Sequence, residues 1–304
     1  MGMYINSIHD LIGNTPLLRL SHLDLPENTQ IFAKLELLNP GGSIKDRIGL
    51  SMIRDAEERG LLVPGGTIVE ATAGNTGLGI IVAALFSGYR VIMVVPTKFS
   101  EEKQTLMKAM GAELVSTPRA LGMLGAAEKA EEIRAQISGA VSLKQFENAS
   151  NPLAHYQTTG PEIYEQLDGE LDFFVAGAGS GGTFSGVARY LKERNPAIRA
   201  VLADPVGSVI GGGEHADYDI EGIGNDFIAG TMDTQLMDDV IKVTDAEAID
   251  AVRLLARKEG VIAGTSSGAA LAASIKLAQK YSGSRIVTIF PDRGERYFSK
   301  HIFA

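Results

Sequence analysis

The chain has 304 residues, of which 45% are hydrophobic and 21% charged, with 35 glycines and a formal net charge of −9. This composition suits one large or two ordinary α/β domains with many tight strand-to-helix turns, and excludes a disordered chain. The acidic balance argues against broad binding to nucleic acid or an anionic membrane, and zero cysteines remove disulfide, thiolate and cysteine-metal chemistry.

No apolar run approaches the roughly 20 residues of a membrane span. The opening "MGMYINSIHDLIG" lacks the basic start and apolar centre of a signal peptide, so a cytoplasmic location and a small-molecule partner are expected. Short β-branched runs, "IFAKLEL", "TIVEA", "YRVIMVV", "AELVS", "LDFFVAG", "IRAVLAD" and "RIVTIF", alternate with amphipathic or alanine-rich stretches. That rhythm predicts an α/β fold of parallel sheets covered by helices, in two lobes with a ligand cleft between them.

In chain order, the first chemically suggestive stretch is "LNPGGSIKDRIG". Pro40, Gly41 and Gly42 punctuate a loop, and Ser43 followed by Asp46 has the spacing of a capping box that opens a helix. Lys45 then falls in the first turn, where unpaired N–H groups and the positive end of the helix dipole favour an uncharged, nucleophilic amine. The alternative from this stretch alone is a lysine pointing to water.

"EATAGNTGLGI" is a strand-to-helix glycine loop. Thr72, Asn75 and Thr76 side chains, with the N–H groups of Ala73 and Gly74, suit a carboxylate; an ordinary N-cap at Thr72 or Asn75 is the plain alternative. Charges in "SEEKQTLMKAM" and "AEKAEEIRAQ" repeat at helical spacing and read as solvated faces. The five histidines show no ligand spacing, so no metal site is expected, and His155 reads as a packed or capping residue.

"DFFVAGAGSGGTFSGVARY" reads strand, glycine loop, helix, with N–H groups gathered for a phosphate. A dinucleotide site is the competing reading, since Gly177, Gly179 and Gly182 match G-x-G-x-x-G and Asp204 ends the next strand. "AGTSSGAAL" makes a third strand-to-helix turn, with Ser266 and Ser267 able to cap it or present a hydroxyl inward.

Together "LIGNTPLLRL", "NPGGSIKDR", "TAGNTG", "QFENASNPLAHYQTTGPEI", "GAGSGGT", "EGIGNDF" and "GTSSGAA" resemble the cysteine synthase and cystathionine β-synthase family of pyridoxal-phosphate enzymes, in the family's order from Leu11 to Phe303. The resemblance implies a fold type II, tryptophan-synthase-β-like architecture with two parallel-sheet lobes. It places a smaller mobile domain at 36–144 and a larger cofactor-binding domain at 1–35 and 145–304, in a homodimer. With the motifs running almost from end to end of the sequence, only the catalytic core is expected, without a haem-binding extension or a C-terminal regulatory module.

By the same resemblance the cofactor is pyridoxal 5'-phosphate and Lys45 is the Schiff-base lysine. Gly179, Ser180, Gly181, Gly182 and Thr183 match the phosphate loop, Asn75 the partner of the ring hydroxyl and Ser266 that of the pyridine nitrogen. Thr72, Ala73, Thr76 and Gln145 match the substrate-carboxylate site. The implied reaction is β-replacement on O-acetylserine or serine through an aminoacrylate, with homocysteine giving cystathionine. Cysteine synthesis from sulfide is the alternative, and serine or threonine deamination or a non-enzymatic amino-acid sensor lie further off. "NASNPLAHY" and "DIEGIGNDF" look closer to cystathionine synthases, although Asn225 stands where animal members carry tyrosine. Homocysteine's ammonium would need an anion. Asp219 and Glu221 are candidates, their spacing expected to turn one inward, and Glu221, beside Gly222, is the choice.

Overall fold

The computed structural model describes residues 4–72, 74–97 and 100–304. In chain order the principal elements are β1 (Leu17–Arg19), β2 (Gln30–Leu35), α1 (Lys45–Glu58), β3 (Thr67–Ala71), α2 (Asn75–Ala84), β4 (Arg90–Pro96), α3 (Glu101–Ala109), β5 (Glu113–Thr117) and α4 (Gly122–Gln136). There follow α5 (Ser150–Ala154), a π-helical turn (His155–Thr159), α6 (Gly160–Gln166), β6 (Phe173–Ala176), α7 (Gly182–Arg194), β7 (Arg199–Pro205), β8 (Asp239–Val243), α8 (Asp245–Glu259), α9 (Thr265–Lys280) and β9 (Arg285–Phe290). No helix among the described residues is long and apolar enough to cross a membrane.

The chain divides into two compact units, Met1–Ile12 with Asn39–Ser150, and Gly13–Leu38 with Asn151–Ala304. The first is built on a parallel sheet of order β3-β4-β5. Its central strand β4, "RVIMVVP", is buried from Val91 to Pro96, which is why its apolar run is unbroken: both faces are covered. Val69, Ile92 and Val94 pack with Ala126 and Ala130 of α4, the alanines letting the helix lie close to the sheet. One expectation fails here, for Lys103 in the supposedly solvated face of α3 is 3% exposed.

The second unit holds a six-stranded sheet of order β1-β2-β9-β6-β7-β8. Its strands are parallel, as expected, except the short edge strand β1, which pairs antiparallel with β2. Ile31, Phe173, Val201 and Ile286 join residues of α8 and α9 in a single core. Each such fully buried aliphatic or aromatic side chain contributes about 1.5–3 kcal/mol.

Candidate active site

In the first unit Lys45 is the first residue of α1 and is half-buried. The helix starts there by a route other than the expected capping box. Ser43 Oγ accepts from the Lys45 N–H (3.3 Å), Ile44 takes the N-cap position without a side-chain cap bond, and the buried Asp46 carboxylate accepts from the Gly41 N–H (2.5 Å). The glycine loop doubles back so tightly that a Cβ on Gly41 would lie 2.5 Å from Asp46 Oδ1, which places this donor within the carboxylate's reach. A negative charge at this helix end also complements the dipole.

Helix α2 crosses α1 with backbone against backbone. A Cβ on Gly79 would overlap the Lys45 carbonyl, and one on Gly49 would overlap the carbonyl of Gly79. Only glycines fit, so the start of α1, with Lys45, is held at a fixed distance from the start of α2, with Asn75 and Thr76. Thr72 is buried in the turn before α2, its N–H donating to Val94 O (3.2 Å) and its Oγ1 accepting from Gly74 N–H (3.4 Å). Gly74 is the N-cap of α2, with no side-chain cap, so neither Thr72 nor Asn75 serves as the N-cap. Thr76 Oγ1 donates to Gln145 Oε1 (2.7 Å), which turns the Gln145 amide so that its NH₂ group faces away from Thr76. Ala73 lies outside the described residues.

In the second unit β6, glycine loop and α7 follow one another as the sequence predicts. Gly181 is the N-cap in the left-handed region (φ +83°), and a Cβ on Gly182 would overlap Asn151 Oδ1. Two bonds set the direction of the loop's donors. Asn225 Nδ2 donates to Gly179 O (2.9 Å) and Thr231 Oγ1 donates to Ser180 O (2.5 Å). A trans peptide holds its C=O and N–H on opposite sides, so these anchors aim the Ser180 and Gly181 N–H groups away from their supports. With the first N–H groups of α7 beside them, this is a donor set for a phosphate.

The side chains behind the loop are ones that sequence reasoning missed. Asn151 Nδ2 donates to Ser180 Oγ (2.9 Å). His155, fully buried, has Nδ1 2.9 Å from Thr159 Oγ1 and Nε2 3.1 Å from Thr183 Oγ1, so it fixes the hydroxyl of a phosphate-loop residue from within the π-helical turn. The packed role expected for His155 is correct, but its link to the loop is invisible in spacing. The signal available was a run of small polar residues inside a helical stretch, "SNPLAHYQTT".

Ser266 and Ser267 are buried in the first turn of α9 and do not cap it; Gly264 is the N-cap, and before it stands a single bridging residue, Ala263, where a strand was expected. Gly222 (φ +87°) brings its carbonyl against the phosphate loop, since a Cβ on Gly179 would sit 2.7 Å from Gly222 O, and a Cβ on Gly222 would sit 4.0 Å from Ser266 Oγ. Loop, Gly222 and Ser266 are thus neighbours.

Asp219 and Glu221 depart from expectation. Residues two apart in an extended segment share a side, and the inward residue is Ile220, 4% exposed, while Asp219 is exposed and Glu221 half-buried. The Glu221 carboxylate is already paired with Lys300 Nζ. Asp204, the ribose-binding candidate of the dinucleotide reading, is fully buried and accepts from Lys242 Nζ (2.6 Å) and Gly211 N–H (2.9 Å), so it is committed to holding a loop.

In the second unit the glycine cradle with its carbonyl anchors suits a phosphate such as that of pyridoxal 5'-phosphate, and in the first unit a half-buried lysine among helix-start N–H groups suits reaction with an aldehyde. Residues 8–292 match the family model described as pyridoxal-phosphate dependent enzyme. The chain is 51% identical over 300 residues, 98% of both chains, to an O-acetylserine dependent cystathionine beta-synthase of Bacillus subtilis (strain 168). It is 45% identical over 304 residues, 99% of both chains, to a cysteine synthase of Helicobacter pylori (strain ATCC 700392 / 26695). The crystal structure of an O-acetylserine dependent cystathionine beta-synthase from Helicobacter pylori superposes with a TM-score of 0.95 at 45% identity, covering all of both chains. The resemblance carried by the seven motifs is borne out over nearly the whole length, and the chain belongs to the pyridoxal-phosphate dependent enzyme family, in which pyridoxal phosphate is the cofactor.

Proposed function

We propose that this enzyme performs β-replacement on O-acetylserine or serine and that its acceptor is homocysteine, giving cystathionine. The observation that carries this reading is 51% identity, spread over 98% of both chains, to an enzyme named for that reaction. Sulfide as acceptor, giving cysteine, is the second reading, favoured by the 45% identity to a cysteine synthase.

Bound pyridoxal phosphate supplies an electron sink that labilises the substrate's α-proton and assists loss of its β-substituent. The chain's own residues do the rest. Residues Gly179 to Thr183 hold the phosphate through N–H groups and the Thr183 hydroxyl, Asn75 meets the ring hydroxyl and Ser266 the pyridine nitrogen. A serine hydroxyl would not keep that nitrogen protonated as a carboxylate would, so Ser266 would leave the bound cofactor a milder electron sink, suited to loss of a β-substituent. Lys45 Nζ would hold the cofactor's aldehyde carbon and, as a free amine, would remove and return the substrate's α-proton. Thr72, Ala73, Gly74, Thr76 and Gln145 hold the substrate carboxylate. In the net reaction the β-carbon–oxygen bond breaks, acetate or water leaves, and a carbon–sulfur bond forms.

The reading includes a homodimer, supported by exposed apolar side chains around His9 and Phe86, and a cytoplasmic location, where thiol acceptors stay reduced. The decisive experiment supplies O-acetylserine with equimolar sulfide and homocysteine and identifies products by mass spectrometry. Cystathionine should predominate and Lys45→Ala should yield neither product. Cysteine as the main product would establish the second reading.

A further inference from the structure

The segment that delivers Gln145 is strained and tied to a buried carboxylate. Lys144, the residue before Gln145, has φ +51°, a left-handed conformation that a non-glycine residue adopts at a cost and keeps only when its surroundings impose it. What imposes it is visible. Val141 pairs with β3, its N–H donating to Thr67 O (2.9 Å). Beyond it, Glu70 of β3 gathers three consecutive donors on one oxygen: Oε1 accepts from Ser142 Oγ (3.0 Å), from the Leu143 N–H, and from the Lys144 N–H (3.1 Å). On the other side Asn148 Nδ2 donates to Leu143 O (2.9 Å), closing the turn.

We propose that Glu70 is a positioning residue for the substrate carboxylate, acting by clamping Ser142 to Lys144 so that Gln145 is presented to Thr76. The route is continuous: Glu70, the strap 142–144, Gln145, and the 2.7 Å bond between Gln145 Oε1 and Thr76 Oγ1. Glu70 itself, 9% exposed, stands two residues before Thr72, so β3 supplies both the carboxylate loop and the clamp that brings Gln145 to it. Burial pushes the Glu70 carboxyl above its ordinary range, opposed by the bonds from Leu143, Ser142 and Lys144. An acid so costly to bury would be a poor choice for packing alone, whereas three donors on one oxygen are what an oxygen-rich side chain can satisfy.

The proposal rests on the assignment of Thr76 and Gln145 to the carboxylate site. It is tested on the holoenzyme by titrating L-serine, and 2-aminoethanol as the same amine and hydroxyl without a carboxylate, following the cofactor's absorbance. Glu70→Ala should weaken L-serine about tenfold, the scale of one well-placed hydrogen bond to a charged group, and leave 2-aminoethanol within about twofold. Glu70→Gln, which keeps an acceptor oxygen, should restore most of the loss. In a Gln145→Ala background, Glu70→Ala should add no more than about twofold, because two residues on one route are not additive. Ser142→Ala removes one donor without emptying the buried site and should weaken L-serine alone by about threefold, which keeps the test available if Glu70→Ala does not fold. Equal weakening of both ligands would reduce Glu70 to a structural role and overturn the proposal. So would Glu70 and Ser142 variants that bind L-serine normally while Gln145→Ala does not. If Gln145→Ala binds L-serine normally, the carboxylate assignment falls, and the proposal with it.

Discussion

Glu221 meets its first ammonium in the protein itself. Its carboxylate pairs with Lys300 Nζ across side chains that are 22% and 41% exposed, and its N–H donates to Thr265 Oγ1 (2.9 Å), beside Ser266. An incoming homocysteine ammonium would therefore replace one cation by another. The gain is the difference between two partly solvated ion pairs, about 1 kcal/mol or less, and not the ~1.5–3 kcal/mol of a new hydrogen bond to a charged group. Two variants separate the contributions. Glu221→Gln should raise the KM for homocysteine about two- to fivefold and leave sulfide unaffected, while Lys300→Ala, which removes the competing cation, should lower it by a similar factor. Steady-state kinetics with both thiols read this directly. Shifts of the same sign in both variants would mean that the pair only ties the C-terminal segment down, and that the acceptor's ammonium is recognised elsewhere.

The close crossing of α1 and α2 gives Lys45 its fixed place, and it depends on Gly49 and Gly79 having no side chain. Gly79→Ala puts a methyl group into the Lys45 carbonyl; the helices must separate, at a cost of about 1–3 kcal/mol as for other overpacked sites. The midpoint of urea unfolding should fall accordingly, and cofactor retention on dialysis should fall with it because Lys45 moves; an unchanged midpoint would contradict the contact. A glycine in "GNTGLGI" is visible in the sequence, but what it touches is not. The same limit explains the other misses. "TIVEA" and "RIVTIF" coincide with β3 and β9, because buried parallel strands need unbroken β-branched runs. "DVIKV" of β8 hides behind its half-buried, charge-bearing edge pattern, and β1 is too short to show a period. Lys45 at a helix start was legible from Pro-Gly-Gly punctuation, whereas the reach of Asp46 to Gly41 requires the loop's path. Asn225 and Thr231 support the phosphate loop from about fifty residues away in sequence, where no local pattern can announce them.

For the whole molecule, charge and apolar surface pull against each other. Each chain carries a formal −9, so two copies repel, yet Tyr4, Ile5, Ile8 and Leu11 are 79%, 52%, 37% and 45% exposed, and Phe86 is 84% exposed. Phe86 adopts φ +67°, a conformation unusual for an aromatic residue. Its ring lies 6.0 Å from that of His9, whose Nε2 is 2.8 Å from Val82 O, so the N-terminal turn and the Phe86 turn form one surface. Burial of a phenylalanine is worth about 1.5–3 kcal/mol, and a twofold interface would count it twice. Like-charge repulsion is long-ranged and screenable, with a Debye length of about 30 Å at 0.01 M salt and about 8 Å at 0.15 M, while apolar burial is not weakened by salt at these concentrations. Dimer affinity should therefore rise with ionic strength over that range, opposite to an interface held by ion pairs. Sedimentation velocity should find a species of twice the 32.3 kDa chain mass at 0.15 M salt. Phe86→Asp, which removes the apolar contact and adds a like charge at the same point, should shift it to monomer. A Phe86→Asp variant that stays dimeric would place the interface on another face, and a dimer weakened by added salt would show that ion pairs hold it.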